Sequence, residues 1–110
     1  MGSTENLRNQ SLLIEALEAL LSARLGVIEA SRAICCAGSA LRQDRNPLFK
    51  PFVAISSETI QFPLGPEREL WASHALAGMD QQREVLERRF GDLATNSAPA
   101  LLEWIRSQEF

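Results

Sequence analysis

Between residues 7 and 41 apolar positions recur at helical spacing in two phases. Ile14, Leu17, Leu21, Leu25 and Ile28 step by 3, 4, 4 and 3, which places them on one face of a helix built from strong helix formers between Leu7 and about Ser22. Val27, Ala30, Ile34, Ala37 and Leu41 step by 3, 4, 3 and 4, and this second phase begins beside Gly26. Glycine costs about 1 kcal/mol in a helix interior without forbidding it, so the pattern admits one bent helix or two. Two helices are the favoured reading, and the small residues of the second face permit close packing.

From Asp44 to Pro66 the pattern changes. Pro47, Pro51, Pro63 and Pro66, with Gly65, argue against continuous helix. Phe52-Val53-Ala54-Ile55 and Thr59-Ile60-Gln61-Phe62 are β-prone runs on either side of Ser56-Ser57-Glu58; they suit a short hairpin over residues 52–62 or an irregular loop pinned by its aromatics. So long a stretch without helix is unusual in a compact domain and draws attention to function.

Pro66 suits the first turn of a short helix through Trp71, with Glu67 and Glu69 near its positive end. Ser73 reads as the N-cap of a helix from His74 to about Leu93, with Leu76, Met79, Leu86, Phe90 and Leu93 on one side and Gln82 or Arg83 at the missing step. Gly91 weakens its end. Asn96-Ser97 before Pro99 is a start signal for a last short helix carrying Leu101, Leu102 and Ile105 inward and Trp104 at its edge. The expected fold is therefore all-α: a compact bundle of four to five helices, with a long Pro-containing loop between the second and third, forming one domain over residues 1–110. Residues 1–5 are expected to be flexible.

Composition narrows the chemistry. At 45% hydrophobic and 23% charged the chain is neither disordered nor fibrous. Glu15 and Glu18 interrupt the richest apolar stretch, and the N-terminus lacks the pattern of a signal peptide, so a cytoplasmic location is expected. A net charge of −3 with scattered acidic residues disfavours nucleic acid. Cys35 and Cys36 are adjacent; about 100° apart on a helix, they are badly placed for an ordinary disulfide and read as small buried hydrophobes.

His74 is the only histidine, which removes the usual triads and helical zinc motifs, and the six glycines are too dispersed for a phosphate loop. Glu15, Glu18 and Glu29 could pair carboxylates, yet the Glu-x-x-His of di-iron bundles is missing and a solvated face explains them. Glu84 with Arg88, and Glu29 with Arg32, have helical ion-pair spacing. No cofactor or metal is called for.

The remaining candidate is Ser56-Ser57-Glu58-Thr59, a polar cluster between apolar runs. Its hydroxyls either satisfy turn backbone or, with Arg68 and Trp71, form a recognition edge, since Trp and Arg are frequent binding hot spots. Ser57, Glu58, Thr59, Arg68 and Trp71 are the candidate partner contacts.

Residues 24–32 (Arg-Leu-Gly-Val-Ile-Glu-Ala-Ser-Arg), Phe52-Val53-Ala54-Ile55 with Ser57-Glu58-Thr59, and Pro63-Leu64-Gly65 with Arg68 and Trp71 together resemble a family of small uncharacterised bacterial proteins. The resemblance implies no enzyme activity, and by analogy of type implies an immunity protein that neutralises a bacterial toxin. Ser56 and Ile60 stand where that family often has acidic residues, which weakens any metal role for the loop. A non-catalytic protein-binding module is the expected function. The alternatives are a small enzyme or metabolite binder using Glu58 and Arg68, with Glu29, around a loop–helix pocket, and a structural or regulatory helical homodimer.

Overall fold

The computed structural model describes residues 4–60 and 73–109. Among them all regular structure is helical: α1 is Thr4–Leu21, α2 Val27–Ala40, α3 Lys50–Glu58 and α4 Ser73–Arg106, with one 3-10 turn, Pro47–Phe49, leading into α3. At 1.5 Å per residue the 34 residues of α4 span about 51 Å, so this helix alone accounts for the 50 Å long dimension of the molecule. The other helices pack along it: α1 and α2 form a hairpin, α1 and α3 touch α4, and α3 lies on α2.

The two N-terminal helices are separate, as the apolar phases suggest, but Gly26 is not what ends the first. Arg24 N–H donates to Ala19 O at 2.8 Å and Ala23 N–H to Leu20 O at 3.1 Å, the two bonds of a Schellman turn, with Ala23 at φ 60°. α2 closes the same way, through Gln43 to Gly38 and Arg42 to Ser39, with Arg42 at φ 60°. Both turns put a residue with a Cβ where glycine is usual, so neither stop is advertised by composition.

Two expectations are corrected, and others fall outside the described residues. Phe52–Ile55, read as a hairpin strand or loop, lies inside α3: Asn46 Oδ1 caps the Leu48 N–H, Pro47 and Pro51 sit in first turns where no N–H is needed, and Phe52 and Ile55 share a buried face. Of the second run of the proposed hairpin, Thr59 and Ile60 form the turn that ends α3 and residues 61–62 lie outside the described residues, as does the whole short helix Pro66–Trp71. The two C-terminal helices are one, because Pro99 sits on an exposed face and the carbonyl it orphans, that of Thr95, belongs to an exposed residue that water can serve. Buried Ala94, Ala98, Leu101 and Ile105 hold the helix straight through.

The core takes Leu13, Leu17 and Leu20 from α1, Ile34, Ala37 and Leu41 from α2 and its end, Phe49, Phe52 and Ile55, and the C-terminal half of α4. On α1 the expected stripe holds at Leu17, with Ile14 partly buried beside the core, but Leu21 is 42% exposed and Leu13 and Leu20 are buried in addition. Leu93 likewise faces solvent. Gly38 is the closest point of the packing. A Cβ there would overlap the Phe49 ring, which is itself held edge-on against Trp104 with centroids 6.2 Å apart.

Gly38→Ala should therefore lower stability by up to about 2 kcal/mol, because overpacking costs typically 1–3 kcal/mol against the ~1 kcal/mol gained in helix propensity. The urea midpoint reads this directly; a midpoint that rises would mean that Phe49 moves aside freely.

Candidate functional site

The sequence-nominated residues do not come together as one surface. Ser57 and Glu58 are exposed at the C-terminal end of α3. Thr59 is fully buried: its Oγ1 donates to Ile55 O at 2.7 Å, and its carbonyl accepts a hydrogen bond from the Arg32 guanidinium. It closes a helix and offers nothing outward. Arg68 and Trp71 lie outside the described residues. Ile60, next to Thr59, is 76% exposed.

Of the carboxylates spaced for helical ion pairs, Glu29 has a partner on another helix. Glu29 meets Arg83 at 3.2 Å, and Arg83 also approaches Glu87 at 3.9 Å, one turn along α4. Glu87 in turn accepts from the Val27 N–H at 2.7 Å and the Ile28 N–H at 3.1 Å, capping α2 from a different helix. Gly26 allows this, since a Cβ there would stand 2.9 Å from Glu87 Oε1. Glu18 pairs with Arg106 at 2.8 Å on the surface. A polar hollow of about 440 Å³ between Asp80, Arg83, Glu84 and Glu87 borders this network, whose Arg83 and Glu87 are already engaged. Among the described residues no three His, Cys, Asp or Glu side chains are grouped to hold a metal ion, and no helix is long and apolar enough to cross a membrane.

A large apolar concavity lies elsewhere, on the outer side of the α1–α2 hairpin, with a volume of about 560 Å³. Ala16 and Ala19 of α1 and Ala37 of α2 make its floor; Ala33, Cys36 and Ala40 form the α2 wall. Leu12, 46% exposed, stands on the α1 wall. Polar groups are few: Asn9 at one end, Glu15 midway, and Arg24 at the other end beside Leu25. The Schellman turn places Arg24, and its Nε donates to Ser22 Oγ at 2.9 Å. None of Ser57, Glu58 or Thr59 lines this groove. Sequence reasoning took the small residues of α2 as packing; the missed signal is that Ala33, Cys36 and Ala40 extend them past the core face.

The cysteines differ sharply. Cys36 is exposed in the groove wall, whereas Cys35 is half-buried, and burial, reinforced by neighbouring Cys36, pushes its thiol up to about 11. Comparison of the chain with known protein families, curated proteins and solved structures returns no match.

Two measurements follow from this geometry. A chromogenic disulfide reagent at pH 8 should react with one thiol quickly and one slowly, since about one Cys35 in a thousand is then thiolate; Cys36→Ser should abolish the fast phase. Glu87→Ala should cost about 1.5–3 kcal/mol, the range for hydrogen bonds to a charged group, and should speed amide exchange at Val27 and Ile28; unchanged exchange there would show that the cap is not formed in solution.

Proposed function

We propose that this chain is a non-catalytic protein-binding module whose docking surface is the outer groove of the α1–α2 hairpin. The observation that carries the reading is the groove itself: apolar and, among the described residues, bordered by three polar side chains, Asn9, Glu15 and Arg24. Protein contact sites combine such an apolar centre with a sparse charged rim. Catalysis needs the reverse, several converging ionisable groups with a place for the reacting atom between them.

An immunity-type inhibitor is the narrower form of the same reading. The net charge of −3 favours it, since an inhibitor works by surface complementarity and mild acidity steers it onto basic partners. The metabolite-binding alternative finds less support: Glu58 is not on the groove, and Glu29 is paired with Arg83.

A photo-crosslinking residue placed at position 40 in the native cells tests the proposal. One discrete protein adduct, identified by mass spectrometry, is expected; it should be missing when the probe stands at exposed position 88 and should disappear when Ala33→Arg fills the groove. A toxin domain as the adduct would establish the narrower form. The same products from positions 40 and 88 would sink the reading.

A further inference from the structure

Resting on that reading, we infer that the groove takes an amphipathic α-helix of a partner protein, registered by a basic side chain against Glu15 and an acidic one against Arg24. The class of element follows from backbone chemistry. An extended peptide lying on this apolar floor would bury N–H and C=O groups that Asn9, Glu15 and Arg24 are too few to satisfy, whereas a helix satisfies its own. Dimensions agree: packed helix axes lie about 8–10 Å apart and a helix with side chains is about 10–12 Å across, so a third helix seats over the cleft between two. The alanine floor leaves the volume for larger side chains of the incoming helix, with Leu12 as the wall that limits them.

The charges say which helix. Among the described residues Glu15 and Arg24 are the ionisable groups bordering the groove apart from Cys36, and they have opposite sign. From Glu15 to the end of α1 at Leu21 is about 9 Å at 1.5 Å per residue, with Arg24 just beyond. That separation matches side chains about two turns apart on one face of the partner, hence a basic and an acidic residue spaced by about seven positions, beside an apolar stripe. A second copy of this chain is the competing occupant, because a two-fold axis between Glu15 and Arg24 would set each against its opposite charge in the other copy, and sedimentation decides between the two.

The test is selection from a displayed library of helices with a fixed apolar stripe and randomised flanks, against three targets: the native protein, Glu15→Arg/Arg24→Glu, and Ala33→Arg/Ala40→Arg. All four altered side chains are exposed, and matching circular dichroism and melting curves establish folding. Helices selected on the native protein should carry the spaced basic–acidic pair and bind Glu15→Arg about tenfold more weakly. The charge positions should invert on the doubly reversed target, and the groove-filled target should retain none. Helices without a charge preference, or retained equally by the groove-filled protein, would overturn this inference while leaving the cross-linking result to judge protein binding itself. Sedimentation as a dimer with Cys36 protected would also overturn it.

Discussion

Three helix ends in this molecule are closed by side chains borrowed from other helices. Glu87 of α4 accepts the first N–H groups of α2, Arg32 of α2 donates to the last carbonyl of α3, and Gln10 of α1 donates to Ile105 O and Gln108 O at the end of α4, at 2.9 and 3.0 Å. Helix ends carry unsatisfied backbone groups that are costly to bury. Here each such group also specifies how far one helix may slide along its neighbour. The apolar contacts between Leu13, Ile34, Phe52 and Leu101 are non-directional, whereas the borrowed caps are not. Together they give a bundle with one register.

The same economy of side chains explains the groove. Ala30 and Gly38 let α2 sit close to its neighbours on the core side, and Gly38 receives the Phe49 ring directly. Small residues continue round to the outer face at Ala33 and Ala40, where nothing among the described residues fills the space they leave. A hairpin made tight by small side chains is thus hollow on its far side, with Leu12 of α1 on its border and Arg24 carried there by the turn that ends α1. Ser31 is the one buried polar side chain without a hydrogen-bond partner among the described residues. Its small volume matters more to the packing than its hydroxyl.

Much of the fold was legible in the chain. The α2 phase through Ala30, Ile34, Ala37 and Leu41 is the buried face, two helices do precede the Pro-rich segment, and Leu101 and Ile105 are core. Where reading failed, a local rule met a non-local compensation. Pro47 and Pro51 looked like breakers but fall in first turns; Pro99 looked like a start but lies on a wet face; Phe52–Ile55 is β-prone by composition but helical because Phe52 and Ile55 must share one buried side. On α1, Leu12-Leu13-Ile14 and Leu20-Leu21 offer apolar residues in more than one phase, and only packing against α2 and α4 chooses Leu13 and Leu20.

The candidate site was less legible than the fold, for a related reason. Ser57 and Glu58 were found by their polarity, whereas the groove consists of alanines, a leucine and a cysteine whose interest lies in being left uncovered. Helical periodicity and the absence of phosphate-loop and helical zinc motifs are local properties, and the amino-acid order alone determined them. Which face of α1 is buried, which carboxylate caps α2, and where a hollow remains depend on residues some 60 positions apart meeting in space. Those were decided by the tertiary structure, because burial and hydrogen-bond satisfaction are set by neighbours that one helix cannot specify for itself.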